Sequence, residues 1–193
     1  SVKKILKYLN KTKIFNVSGP TECTCICSSH QVNKNEILKS KNISIGKIND
    51  YFDYKIIFKD KSKKKSNIGE LFLEGPAVSA GYHNHKNAEK SKFYKINSHF
   101  GYKTGDLVQK LNNKKLKIVG RADNQIKFMG YRIELEEIEN NIIKLLNIRD
   151  CLVLLRKIDS YPFLRLVCYL NKKDGKTTNM IYLLKIWVEV FPH

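Results

Sequence analysis

The residues best suited to chemistry lie in four short segments that set glycine beside short polar or charged side chains. They are Asn16-Val-Ser-Gly-Pro-Thr-Glu22, Gly69-Glu-Leu-Phe-Leu-Glu-Gly75 running on to Gly81-Tyr82, Tyr102-Lys-Thr-Gly-Asp-Leu107, and the long run from Gly120 to Glu139. Glycine at a strand end lets backbone approach a ligand closely, where neighbouring hydroxyls and carboxylates can meet it. Taken singly, each segment also fits an ordinary tight turn, and an aspartate after glycine, as at Asp106, is commonly a turn residue. Two further clusters raise the question of a metal. Cys23, Cys25 and Cys27 alternate, which on a strand puts three thiols on one face. Such neighbours rarely converge on one ion, and no second Cys or His pair follows at zinc spacing, so small core residues fit better. Glu134, Glu136, Glu137 and Glu139 crowd a helix start, where negative charge suits the macrodipole better than it suits a second metal.

The elements that must carry these segments follow from periodicity. Val2, Ile5, Leu6 and Leu9 have helical spacing. Ile14 to Val17 and Cys23 to Ser28 read as strands around a Gly19-Pro20 turn. Tyr54 to Lys59 and Ile68 to Glu74 read as a hairpin with a basic tip, residues 60–67. A second hairpin joins Leu107–Leu111 to Leu116–Val119 through Asn112-Asn113, residues that tolerate positive φ. From Glu134 the period changes: Leu135, Ile138, Ile142, Leu145 and Leu146 mark an amphipathic helix. Cys151 to Leu155 and Phe163 to Leu170 read as strands, and Thr177 or Thr178 caps a last helix running to about Val190. The reading is mixed α/β, with a β-rich first part, residues 1–119, and a small α/β last part, residues 120–193. No internal repeat is visible.

Composition bounds what such a chain can be. The 193 residues are 42% hydrophobic and 28% charged, with only 4 Pro, so a core can form and wholesale disorder is excluded. No apolar run approaches the ~20 residues needed to span a bilayer, and the first residues lack a charged-then-apolar leader pattern. Ser1 reads as an internal start, and the 5 cysteines read as reduced thiols of a cytoplasmic protein. The net charge of +18 would favour nucleic acid or an anionic membrane. The excess is one-sided, however: residues 1–119 hold 24 basic and 9 acidic side chains (+15), against 12 and 9 (+3) in 120–193. It is almost all lysine, 31 against 5 Arg, which fits a solvated lysine surface and background composition better than a phosphate-reading face. The expectation is therefore no nucleic-acid partner and no membrane insertion.

Together, in this order and at these separations, the four glycine-bearing segments resemble the second half of the adenylate-forming (AMP-binding) ligase superfamily. That superfamily takes in amino-acid adenylation domains, D-alanine carrier protein ligases, acyl-CoA synthetases and luciferases. The resemblance runs from about Ile14 to at least Leu155. Gly130-Tyr-Arg-Ile-Glu-Leu-Glu-Glu-Ile-Glu139 looks closest to the amino-acid-activating members, with acyl-CoA synthetases as the alternative. It implies ATP and Mg²⁺ as cofactors, an amino acid as substrate, and a carrier-protein phosphopantetheine (or coenzyme A) as acceptor. The superfamily's phosphate loop and late catalytic lysine have no counterpart within these residues, so the chain reads as part of a larger enzyme. Residues 1–119 would be the β-rich, barrel-like end of the large domain and 120–193 most of the small mobile domain. The 193 residues alone are expected neither to turn over nor to fold robustly, and an inactive relic or a basic non-catalytic module are the remaining alternatives.

The resemblance assigns roles residue by residue. Asn16, Val17, Ser18, Gly19, Pro20 and Thr21 form the nucleotide loop, in which Thr21 offers a hydroxyl to a phosphoryl oxygen. Glu22 holds Mg²⁺, a hard ion that favours carboxylate oxygen, so Thr21 and Glu22 are the catalytic pair. Ser18 departs from the pattern, which has an aromatic residue there; base stacking on such a ring is worth roughly 1–3 kcal/mol. Asp106 accepts the ribose hydroxyls with its two oxygens, and Arg121 is a second ribose or phosphate contact. Asp123 is the hinge about which the small domain turns. Lys127 and Gly130 serve the thioester-forming orientation, with Met129 in place of a usual basic residue. Cys25 lines the acyl pocket, where a small apolar side chain suits a small amino acid.

Overall fold

A computed structural model of the chain describes residues 12–39, 43–58, 67–83, 92–128, 131–158, 164–171 and 177–183. The helix expected over 2–9, the lysine tip at 60–66 and Gly130 lie outside the described residues. Two compact units divide between Asp123 and Asn124.

The first unit is built of antiparallel strands. β1 (Ile14–Ser18) pairs with β2 (Ser28–Val32), which pairs with β3 (Lys47–Ile48). Between β2 and β3 a short helix, α1 (Lys34–Lys39), is capped by Asn33, whose Oδ1 accepts the Glu36 N–H at 2.8 Å while Glu36 reaches back to the Asn33 N–H at 3.0 Å. The second sheet runs β4 (Asp53–Ile57), β5 (Ile68–Gly75), β7 (His99–Lys110), β6 (Phe93–Ile96), and β8 (Leu116–Arg121) also pairs with β7. Alternation places Leu73 opposite Tyr102 in register, and both side chains are fully buried among Val108, Leu116, Phe93 and Val78. Each such large side chain contributes roughly 1.5–3 kcal/mol by leaving water. The β7–β8 turn falls where Asn112-Asn113 indicated it, with Asn113 at φ 58°.

The second unit opens on a hairpin of β9 (Gln125–Phe128) and β10 (Tyr131–Glu134), followed by α2 (Leu135–Leu146). Leu135, Ile138 and Ile142 face a core completed by Val153, Leu166 and Cys168 of β11 (Asp150–Lys157) and β12 (Leu164–Asn171). Asn147, left-handed at φ 47°, ends α2, and the Ile148 N–H returns to the Ile143 carbonyl.

Three expectations are corrected. Cys23–Ser28 is not a strand: Thr21–Cys23 form one turn of 3-10 helix, Thr24 and Cys25 are left-handed, and β2 starts only at Ser28. Leu145 and Leu146 complete the helical period but lie on the last turn, past the core, and are exposed. Residues 177–183 form β13 (Thr177–Leu183) on the edge of β12, not the start of a helix, and residues 184–190 lie outside the described residues. The β-branched Thr177, Thr178 and Ile181 favour that conformation once a partner strand is present.

Candidate functional site

The loop from Ser18 to Cys27 is closed at its neck. The Ser18 carbonyl accepts the Cys27 N–H at 2.9 Å and the Cys27 thiol at 3.2 Å. Gly19 makes this closure possible, because a Cβ there would lie 2.4 Å from the Cys25 carbonyl oxygen and 2.7 Å from the Cys27 nitrogen. Pro20 is extended (φ −75°, ψ 155°) and starts the 3-10 turn, which leaves Thr21 exposed and turns Glu22 inward. Asn16 is tied down beside it, its Nδ2 donating to the Ser44 carbonyl at 2.8 Å. Cys23 and Cys27 are buried in the first core, whereas Cys25, at φ 76°, is exposed on the loop. Burial pushes the Cys23 thiol up to about 12, with the fields of Cys27 and Glu22 adding to it. Burial likewise raises Cys27, to about 11, against the opposing pull of a backbone hydrogen bond, and the nearby Asp106 charge adds to the rise. The two are therefore protonated, buried packing groups at neutral pH.

Glu22 is held from outside the loop by the segment that follows β5. The Tyr82 hydroxyl donates to Glu22 Oε1, the Ser79 N–H donates to the Glu22 carbonyl at 2.8 Å, and the Thr24 hydroxyl donates to the Ala77 carbonyl at 2.7 Å. Tyr82 stands edge-on to Phe93 (centroids 5.2 Å, 85°), and Phe93 packs on Tyr102 at 4.8 Å. Burial first, then the hydrogen bonds with Glu22 and Tyr102, drives the Tyr82 phenol far above its usual range, so it remains a donor.

The third and fourth segments meet across β7 and β8, where Asp106 lies opposite Arg121 in register. Arg121 Nη1 donates to Asp106 Oδ1 at 2.7 Å. Its Nε and Nη2 form a fork on Asp123, at 2.8 and 2.7 Å. Lys92 Nζ stands 3.9 Å from Asp123 Oδ2. Burial works against the Arg121 charge, but the hydrogen bonds and fields of Asp123 and Asp106 outweigh it and raise the guanidinium's pKa. Gly105, left-handed at φ 74°, lies under this cluster: a Cβ there would be 2.4 Å from Asp123 Oδ2 and 2.5 Å from Arg121 Nη2. The backbone of β7 is held there by the Ala122 N–H on the Gly105 carbonyl at 2.7 Å and by the buried Thr104 hydroxyl, which accepts the Asp106 N–H at 3.1 Å.

The first unit thus joins Asp106, Arg121 and Asp123 in one ionic group, and ties the 16–22 loop to the same strand pair: Cys23 and Cys27 pack with Tyr102 and Val108 of β7, and Ser44, which holds Asn16, donates its hydroxyl to the Leu116 carbonyl of β8 at 2.7 Å. Asp123 is also the last residue before the division between units. Lys127 is exposed on β9, opposite Arg132. Arg132 Nε donates to Gln125 Oε1 at 2.8 Å, and Gln125 in turn donates to Glu134. The acidic run has structural uses: Glu139 Oε1 accepts the Val153 N–H at 2.8 Å, pinning α2 to β11, and Glu136 faces Asn124 at 3.4 Å. Sequence reading quoted Tyr82 and Thr104 within its motifs without giving either a role, and missed Lys92. Both motif residues could have been singled out, but the bonds that define them, Tyr82 to Glu22 and Thr104 to Leu71, and the approach of Lys92 to Asp123 are set by tertiary structure.

No protein-family profile matches the chain. Individual relatives do. A D-alanine–D-alanyl carrier protein ligase of Streptococcus agalactiae serotype V is 31% identical over 176 residues, 91% of this chain and 34% of that protein. Among solved structures, an NRPS protein containing adenylation and PCP domains matches with TM-score 0.68 at 25% identity, over 91% of this chain and 36% of that one. The Vibrio cholerae adenylation domain AlmE, in complex with glycyl-adenosine-5'-phosphate, matches with TM-score 0.66 at 25% identity, over 83% and 31%. The chain spans about a third of the length of that ligase and much less of the larger synthetases it also matches, 6% of bacitracin synthase 2 of Bacillus licheniformis for one.

Proposed function

The chain is homologous to adenylate-forming ligases of the amino-acid-activating kind, and we propose that it is the ATP-ribose and hinge portion of such an enzyme. The reaction has two halves: a carboxylate oxygen attacks the α-phosphorus of ATP and displaces pyrophosphate, and a thiol then takes the acyl group and releases AMP. The observation that carries the reading is that one unit holds both the Asn16–Glu22 loop and the Asp106–Arg121–Asp123 group: Cys23 and Cys27 of the loop share a core with Tyr102 and Val108 of β7, and Asn16 is linked through Ser44 to Leu116 of β8. Asp106, oriented by Arg121, would accept the ribose hydroxyls. Gly19 and Pro20 would set backbone against the nucleotide, and the exposed Thr21 hydroxyl would donate to an α-phosphoryl oxygen where charge develops. Cys25, exposed on the same loop, would face the acyl group.

Glu22 suits Mg²⁺ by its donor chemistry. Magnesium is commonly held by one or two carboxylates plus phosphate oxygens, so a single anchored carboxylate beside a phosphate-facing hydroxyl is enough, and among the described residues no three-ligand cluster competes. When bound, the ion would neutralise charge on the phosphates. Asp123, ionically locked at the division between units, would be the hinge, with Lys127 and Gly130 serving the thioester-forming orientation. Among the described residues no helix is long and apolar enough to cross a membrane, and a cytoplasmic site, where ATP and reduced thiols are at hand, goes with this chemistry. The acceptor would be a carrier-protein phosphopantetheine. The test is a carboxylate panel in pyrophosphate–ATP exchange by the full-length polypeptide. Exchange with a small amino acid is expected; exchange only with fatty or aryl acids would transfer the chain to the acyl-CoA synthetases.

A further inference from the structure

Glu22 is the carboxylate the proposed reaction depends on. The 3-10 turn that carries it is only three residues long, and Pro20 at its start supplies no side-chain cap. One hold on the carboxylate comes from elsewhere in the chain, 60 residues away, where the Tyr82 hydroxyl donates to Oε1. Tyr82 is itself held from both ends. Its ring stands against Phe93, which packs on the fully buried Tyr102, so the phenol is built onto the β6–β7 pair rather than onto a free loop. The chain between β5 and Tyr82 grips the turn twice more through backbone, at Ser79 to Glu22 and at Thr24 to Ala77, but neither of those bonds touches the carboxylate. Val78, buried in the same core, anchors the middle of the segment.

We propose that Tyr82 is a positioning residue that sets the Glu22 carboxylate for a divalent cation bound with the nucleotide. This rests on the reading of Glu22 given above. A phenol held in place in this way narrows the rotamers of the carboxylate it bonds, which lowers the ordering needed when the ion arrives. Outer-shell partners of this kind typically change metal affinity by about 10–100-fold when removed. The other two bonds of the segment secure the backbone turn and have no direct hold on the carboxylate, so their loss should act on stability alone.

The experiment uses the full-length polypeptide, with Mn²⁺ as the probe ion and a non-hydrolysable ATP analogue present, and reads Mn²⁺ binding by electron paramagnetic resonance. Tyr82→Phe keeps the ring against Phe93 and removes only the hydroxyl. It should weaken Mn²⁺ binding by about 10-fold or more while the amino-acid KM stays within about 2-fold. Thr24→Val removes the Ala77 bond and should lower the melting temperature while leaving Mn²⁺ affinity unchanged. In a Glu22→Gln background, Tyr82→Phe should have no further effect on the ion. Unchanged Mn²⁺ affinity in Tyr82→Phe overturns the proposal. So does an equal loss in Thr24→Val, or full additivity with Glu22→Gln. Failure of the wild-type protein to exchange pyrophosphate with any carboxylate would instead refute the enzyme reading, which separates the two outcomes.

Discussion

Alanine at Gly105 should break the site from beneath. Two effects combine there. At φ 74° an L-residue is strained by roughly 1–2 kcal/mol. The new Cβ would also lie 2.4 Å from Asp123 Oδ2 and 2.5 Å from Arg121 Nη2, so the fork between them must swing aside. Those side chains are about a quarter exposed, at 26% and 25%, so solvent screening reduces the loss to about 1 kcal/mol. The sum is about 2–3 kcal/mol, which for a domain of this size lowers the melting temperature by roughly 6–12 °C. Gly120, across the same strand pair, is the internal control: an added Cβ meets only Leu107 Cδ1 at 4.0 Å, and Gly120→Ala should fall within about 0.5 kcal/mol of wild type. The assay is thermal unfolding of both variants beside wild type, with ATP KM measured in parallel. A Gly105→Ala melting temperature within 2 °C of wild type on the order of the control's shift, or equal losses in the two variants, would refute the geometric argument.

Arg121→Lys keeps the charge but cannot serve Asp106 and Asp123 through a rigid fork, so kcat/KM for ATP should fall by about 5–30-fold, measured by exchange kinetics. Ser18→Tyr restores a stacking ring and should lower the ATP KM by at least about 5-fold; an unchanged KM would show that position 18 does not face the base. Under native conditions at neutral pH, iodoacetamide should modify the exposed Cys25 well before Cys23 and Cys27, as read by peptide mass spectrometry. The same buried thiols, raised from 9.0 to about 12 at Cys23, about 11 at Cys27 and about 12 at Cys168, hold protons that the unfolded chain releases. Stability should therefore be intact below pH 9.0 and fall as pH rises toward 11–12, seen as a decline in denaturant midpoint over that window.

What could be read in advance depended on how local the determining interaction is. Ile138 and Ile142 announce α2 because their spacing and burial are one fact, and Asn112-Asn113 announce the β7–β8 turn because positive φ is a property of the residues themselves. Residues 28–32 and 93–96 are short and partly polar, and they become strands only through partners far away in sequence, so nothing in them marks β2 or β6. Cys23, Cys25 and Cys27 misled for a related reason. Their alternation imitates a strand, but the loop closes through Ser18 and Gly19, and left-handed Thr24 and Cys25 send the middle thiol outward. At the site, the four glycine-bearing segments were legible as motifs. The fork of Arg121 on Asp123 and the hold of Tyr82 on Glu22 were not, because each is set by side-chain geometry across the fold.

The most direct test of the account is amino-acid-dependent pyrophosphate–ATP exchange by the full-length polypeptide, compared with its Asp106→Ala variant after both are shown to be folded. The account predicts exchange with a small amino acid by the wild type and a loss of at least about 100-fold in kcat/KM for ATP in the variant, about the 2.7 kcal/mol expected when a paired carboxylate contact is removed. No exchange with any carboxylate, or exchange unaffected by Asp106→Ala, would contradict it.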